Sequence, residues 1–182
     1  MNNYPAQNLN SLKYAEADAK AVVDAFVSRP KYTFGNINKT ILLGNNVSCQ
    51  SIEREIDNIA DKAKSNDLAI IFFAGHGLVD NLDKYYLATA ETTDGETPRK
   101  GSFSASSFNE KIAYINCKLV IFIDACYSGK LVEGMRSGGI SNAQFFKELR
   151  STKNGTNIYT SSGSTSQSKE DSRYGHGVFT QA

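Results

Sequence analysis

The stretch "KLVIFIDACYSGK", Lys118 to Lys130, decides how the rest of the chain is read. Leu119 to Asp124 read as a buried strand, and the chain runs straight from it into Cys126, Tyr127, Ser128 and Gly129. "DLAIIFFAGHGLV", Asp67 to Val79, has the same build and sets His76 between Gly75 and Gly77. Two apolar strands thus end in chemistry, one in a thiol and one in an imidazole.

Around these strands the periodicity alternates. "SLKYAEADAKAVVDAFV" has Val22 paired with Phe26 and Val23 with Val27 at helical spacing, with Ala15 and Ala19 on the close-packing side and Pro30 beyond its end. "KTILL" followed by "GNN" reads as a strand and turn. "SCQSIEREIDNIADKAK" is a second helix, with Ser48 as N-cap and Ile52, Ile56, Ile59 and Ala63 as its buried stripe. After the histidine strand come a short run "KYYLAT", a polar surface loop "AETTDGETPRKGS" and a helix "SASSFNEKIAYI" with Phe108, Ile112 and Ile115 apolar. After the cysteine strand come a glycine-rich segment "GKLVEGMRSGGIS", a helix "NAQFFKELR", a strand "TNIYTSS", a polar loop "GSTSQSKEDSRYG" and the start of a helix at "HGVFTQA". Apolar strands alternating with helices specify an α/β fold, a mostly parallel sheet sandwiched by helices in three layers. No repeat or low-complexity linker divides the chain, so one domain is expected over residues 1–182.

Composition narrows the classes of function. The 182 residues suffice for one core, and 40% hydrophobic with 21% charged residues is ordinary for a globular protein. A net charge of +1 gives no electrostatic reason to expect nucleic acid or an anionic membrane as partner. No apolar run approaches the roughly 20 residues that span a bilayer, and "MNNYPAQNLN" has no apolar leader core. The odd set Cys49, Cys117 and Cys126 argues against a disulfide framework and fits a reducing, cytoplasmic location. Without Cys-x-x-Cys, and with only two histidines, no metal site is expected.

In open parallel sheets ligands bind beyond the carboxyl ends of the strands. If the two strands are neighbours, His76 and Cys126 face one cleft. A thiolate is the reactive form of cysteine and histidine can take its proton near neutral pH, the minimum for acyl transfer by a nucleophile. Gly77 allows close approach to the backbone, and the amides of Gly77 and Cys126 could point at a developing oxyanion. By residue type alone, most cysteines are small buried hydrophobes and a lone histidine is more often structural. The joint placement at two strand ends shifts that balance. Cys117, at the far end of its strand, and Cys49, in the first turn of a helix, read as inert; His176, between glycines, reads as a cap or surface residue. A phosphate loop fails because Asp124 stands where a glycine is needed before Gly129-Lys130. A cysteine phosphatase would want arginine where Val132 stands, and no G-x-S-x-G marks a nucleophile elbow.

"FFAGHG" and "DACYSG" together resemble the histidine and cysteine motifs of the caspase-like cysteine peptidase superfamily, in its metacaspase and bacterial branch. Cys126 lies 50 residues after His76, the spacing of about 50 found in caspases. "LKYAEADAKAVVDAF" and "YTSSGSTSQSKED…GHGVFT" resemble that family's first helix and last third, so the resemblance covers nearly the whole chain. It implies a caspase-like three-layer fold and a peptide-bond hydrolase with Cys126 as nucleophile, His76 as general acid/base, and the amides of Gly77 and Cys126 as oxyanion hole. Ser161 and Ser162, heading the last loop, are implied substrate-binding residues. Asp124 stands where caspases that cut after aspartate carry glutamine and metacaspases carry aspartate. A carboxylate there attracts Arg or Lys at P1 and repels an acidic side chain, although an aspartate in this place can also simply cap a turn.

The chain departs from the family in four places. Tyr127 replaces a common histidine. The second acidic pocket position has no clear match near "SSGSTSQ", where Glu170 or Asp171 could substitute. The family's first strand and most of its last helix are missing. The chain therefore reads as a catalytic domain trimmed at both ends, large-subunit-like over about 1–136 and small-subunit-like over about 137–182. The resemblance implies protein or peptide substrates, further regulatory domains outside this chain, and self-processing, for which Lys130, Arg136, Arg150 and Lys153 are candidate sites. No cofactor is needed for the chemistry. Calcium activates some relatives, but the acidic groups of "ETTDGE" and "SKEDS" lack EF-hand spacing. The alternative is a non-catalytic interaction module on the same fold.

Overall fold

The computed structural model describes residues 3–6, 9–29, 33–80, 82, 84–93, 100–127, 155–161, 170–171 and 176–181. The two strands read first from the sequence are its centre. β1 (Leu68–Val79) and β4 (Lys118–Tyr127) run parallel, in register from Leu68 opposite Lys118 to Gly77 opposite Tyr127. β5 (Thr156–Thr160) continues the parallel sheet beyond β4. On the other side, β2 (Tyr85–Leu87) returns antiparallel against the end of β1, and β3 (Phe103–Ser104) pairs antiparallel with β2. The order is β3-β2-β1-β4-β5. A separate ribbon pairs β6 (Glu170–Asp171) with β7 (His176–Gly177).

Alternation along the strands sorts side chains to two faces. One face sends Leu119, Ile121, Ile123 and Ala125 into the main core, against Ile56 of α2 (Cys49–Lys62) and Phe108 and Ile112 of α3 (Ala105–Ile112). The other face carries Phe122, whose ring stacks on Tyr159 at 5.3 Å and approaches Phe179 of α4 (Val178–Gln181) at 6.4 Å. α1 (Ala15–Val27) packs against β1 on this second face, and its buried Asp18 accepts from the backbone of β7. Ile121 is fully buried at the middle of the core. Ile121→Ala is therefore expected to cost about 2–5 kcal/mol of stability, read by chemical unfolding.

Local chemistry sets the element ends as the sequence suggested, with exceptions. Ser48 caps α2: its hydroxyl accepts from Ser51 N at 3.0 Å, and Ser51 Oγ accepts from Ser48 N at 2.9 Å. Asp80 closes the β1–β2 hairpin by accepting from Leu82 N, Lys84 N and the Tyr86 hydroxyl. "KTILL" does not form the expected strand. Leu43 is extended (φ −131°, ψ 150°), but the segment joins no ladder among the described residues and leaves Ile41 37% exposed. A strand pattern reports residue type; a ladder needs a neighbour as well. The loop from Ala90 to Ser102, expected on the surface, is pinned inward at both ends. Thr92 and Ser102 are buried with their hydroxyls 3.1 Å apart, and Thr92 Oγ1 also donates to Gly101 O. The expected helix "NAQFFKELR" lies outside the described residues.

Candidate active site

β1 and β4 are nearest neighbours, so the condition set by the sequence is met: the backbones of His76 and Cys126 are register partners near the carboxyl ends of adjacent parallel strands. Neighbouring strands lie about 4.8 Å apart. His76 is 2% exposed, and Tyr4 and Asn10 of the N-terminal segment contact it. Its backbone N–H donates to the Tyr4 hydroxyl at 3.1 Å, its ring lies 4.7 Å from the Tyr4 ring, and Nε2 sits 2.7 Å from the Asn10 carbonyl oxygen. A carbonyl only accepts, so Nε2 carries the proton and Nδ1 is the basic nitrogen of the neutral imidazole. Tyr4 in turn belongs to a small apolar cluster of Ala6, Leu9, Leu78, Tyr86 and Ala88 that anchors this segment on the β1–β2 hairpin.

The glycines beside His76 have a packing reason. A Cβ at Gly75 would lie 2.8 Å from the Tyr4 hydroxyl. One at Gly77 would collide with the hydroxyl of buried Tyr85 and lie 2.6 Å from its Cζ. Gly77 is fixed in the sheet on both sides, opposite Leu87 and opposite Tyr127, so neither backbone nor ring can yield freely. Gly77→Ala is expected to cost about 1–3 kcal/mol by overpacking, measurable as a lowered Tm.

Asp124, two residues before Cys126, is 8% exposed on the face covered by α1. Sequence reading missed its companion. Asp18, on α1, is 3% exposed, and a Cβ placed on Gly177 would lie 3.0 Å from Asp18 Oδ2 and 2.9 Å from Asp124 Oδ2. Two carboxylates thus converge on the space that glycine leaves open. Asp18 Oδ1 also accepts from His176 Nδ1 at 2.9 Å, and Gly177 N donates to its carboxylate at 3.1 Å. Burial pushes the Asp18 carboxyl above its ordinary range and Asp124 adds to this, while the His176 and Gly177 hydrogen bonds pull it down. The signal was present in the sequence: Asp18 lies three residues after Ala15, on the same helix face.

His176 is accordingly neither helix cap nor free surface residue; it lies in β7 and ends on Asp18. Glu170 and Asp171, the acidic positions read from the sequence, lie in β6 opposite Gly177 and His176. Ser161 follows β5, tied by its N–H to Ile123 O at 3.1 Å, and its hydroxyl is buried with no hydrogen-bond partner among the described residues. Ser162, Lys130, Arg136, Arg150 and Lys153 lie outside the described residues. Burial raises the thiols of Cys49 and Cys117, which fits their reading as unreactive. Among the described residues no group of three metal-ligating side chains converges, and no helix is long and apolar enough to cross a membrane.

The family model of the caspase domain, Peptidase_C14, matches residues 1–182. The chain belongs to the caspase domain family. Its fold is like that of a crystal structure of the Geobacter sulfurreducens protein GSU0716, with a TM-score of 0.66 at 15% identity, covering 94% of this chain and 71% of that one. At that identity the likeness concerns the fold alone. None of the curated proteins compared with it matches the sequence. As a caspase domain, the chain belongs to a family of cysteine peptidases, and its α/β sheet with helices on both faces is the architecture expected of it.

Proposed function

We propose that this caspase domain is a cysteine endopeptidase acting through Cys126 and His76, with a preference for Arg or Lys at P1. The observation that supports it most directly is the register pairing of those two residues at the ends of β1 and β4. In this reading His76 Nδ1 takes the thiol proton and the thiolate attacks the scissile carbonyl carbon. The amides of Gly77 and Cys126 face the oxyanion. Collapse breaks the C–N bond, and the imidazolium gives its proton to the departing amine. Water, deprotonated by His76, then hydrolyses the thioester and restores the thiol. No step calls for a metal or organic cofactor.

The P1 preference follows from the acidic pair. Asp124 precedes Cys126 by two strand residues, a distance of about 6.6 Å, within the reach of a long basic side chain whose carbonyl lies at the sulfur. Asp18 brings a second carboxyl group to the same space. A cation entering that pair is stabilised in a low-dielectric setting, and an acidic P1 is repelled. Ser161, whose buried hydroxyl has no hydrogen-bond partner among the described residues, supplies a further polar group for substrate, and Ser162 is proposed beside it.

Fluorogenic peptides with Arg, Lys or Asp at P1, assayed with and without calcium, test the reading. Cleavage after Arg and Lys is expected. Cleavage after Asp alone would overturn the P1 assignment, and no turnover of any peptide in either condition would favour the non-catalytic module. Self-processing at Arg136 or around Arg150 and Lys153 is tested by peptide mapping beside Cys126→Ala; identical uncut maps would remove it.

A further inference from the structure

We propose that Tyr4 is a positioning residue for the dyad: its hydroxyl holds the main chain of His76 and so sets where the imidazole stands. The proposal rests on the Cys126–His76 reading above, and Tyr4 lies outside both motifs. What carries it is a change of partner at the end of the β1–β2 ladder. That ladder runs from Val79 opposite Tyr85 to Gly77 opposite Leu87, and one residue further Ala88 N donates to His76 O at 2.9 Å. An antiparallel pair bonded in this way ordinarily completes the exchange with a second N–H to carbonyl bond. Here His76 N donates at 3.1 Å to the Tyr4 hydroxyl, 72 residues away in the chain. A side chain has taken the place of a strand carbonyl, at the residue of β1 on which the proposed chemistry depends.

Three contacts tie the phenol to this position. A Cβ at Gly75 would lie 2.8 Å from the Tyr4 hydroxyl, so the glycine before His76 leaves room that the phenol uses. The Tyr4 ring lies 4.7 Å from the imidazole, tilted by 45°, so one side chain touches both the main chain and the ring of His76. Tyr4 also packs against Leu78, Tyr86 and Ala88 of the β1–β2 hairpin, with Ala6 and Leu9 of its own segment. On its other edge β1 is already held by β4, through Gly75 opposite Ala125 and Gly77 opposite Tyr127. The foothold of the ring is apolar and the hold on His76 is polar, so the second can be removed without the first. His76 is 2% exposed, and an N–H released there must shift to find another acceptor. A base displaced by about 1 Å can cost roughly 100-fold in rate.

The test compares Tyr4→Phe and Tyr4→Leu with the wild type, on an Arg-P1 peptide and its neutral citrulline-P1 counterpart. Tyr4→Phe should lower kcat roughly 10- to 100-fold, by the same factor for both peptides, with KM changed less than about twofold. Tyr4→Leu should lose as much activity and also lower the Tm, because the foothold goes with the hydroxyl. If Tyr4 served only the apolar cluster, Tyr4→Phe would turn over like the wild type; that result would overturn the proposal. A loss confined to the Arg peptide, or carried by KM, would overturn it too, by placing Tyr4 in substrate binding.

A readout without turnover separates this proposal from the dyad beneath it. Alkylation of Cys126 by iodoacetamide, followed peptide by peptide so that Cys49 and Cys117 are counted apart, reports the thiolate that His76 supports. His76→Asn should slow it at neutral pH, and Tyr4→Phe should slow it by a smaller factor. Slowing in His76→Asn with a wild-type rate in Tyr4→Phe would sink the role of Tyr4 alone. Equal rates in the wild type and His76→Asn would remove the dyad itself. Where Tyr4→Phe does not fold, hydrogen exchange of the wild type decides: the His76 amide should exchange as slowly as that of Ala88, its partner across the ladder. Exchange at the rate of a free chain would rule out the contact.

Discussion

Cys126→Ala is expected to lower hydrolysis of an Arg-P1 peptide by roughly 10⁴-fold or more, with His76→Asn close behind, in a steady-state fluorogenic assay. In the proposed mechanism the thiol carries the covalent step, so its loss would leave only binding and oxyanion contacts. His76 matters for its geometry as much as its basicity. The Asn10 carbonyl at 2.7 Å fixes a proton on Nε2 and Tyr4 packs the ring, which leaves Nδ1 as the nitrogen that can act as base. The double variant should be no slower than the slower single one, because the two residues act as a unit. Tyr4→Phe removes the hydroxyl that accepts from His76 N, and Asn10 contributes through its main chain, so Asn10→Ala should change the rate little. Additive losses in the double variant, or full activity in Cys126→Ala, would dismantle the dyad.

How much of this was legible in the sequence depends on the range of the interaction. β1, β4, α2 and α3 announced themselves because their burial pattern is local: apolar runs with one strand period, or isoleucines at helical spacing behind a Ser48 cap. "KTILL" misled for the same reason, since its residues suit a strand while pairing is a property of the neighbours. The Cys–His register was inferable once two apolar strands ended in chemistry. Asp18 was not found, because an aspartate inside an alanine-rich helix looks like a solvated charge until β7 is seen to cover it from 159 residues away. His176 was misread through the same long-range contact. The residues that bring the two carboxyl groups together thus come from α1, β4 and β7, three segments that no short motif joins.

Asp18→Asn and Asp124→Asn should each lower kcat/KM for Arg-P1 peptides by roughly 30-fold or more, about 2 kcal/mol of lost charge pairing, while the citrulline peptide changes far less. Gly177→Ala should do the same by filling rather than discharging the cleft, since its methyl would press on both carboxylates at 2.9 and 3.0 Å. Stability should move differently. The Asp18 carboxyl is raised, first by burial, so its ionisation in the folded state is disfavoured relative to the unfolded chain. For a raised carboxyl, the contribution to stability is present below the unfolded value and is lost as pH rises through the folded one. Ionised Asp18 is therefore a cost at neutral pH. Asp18→Asn should show a Tm at least equal to wild type near pH 7, with the advantage shrinking toward about pH 4 as the wild-type carboxyl takes up its proton. Retaining a costly buried charge makes sense where a substrate cation uses it. A variant that loses stability at pH 7 while keeping full Arg selectivity would assign Asp18 to structure and remove it from the cleft.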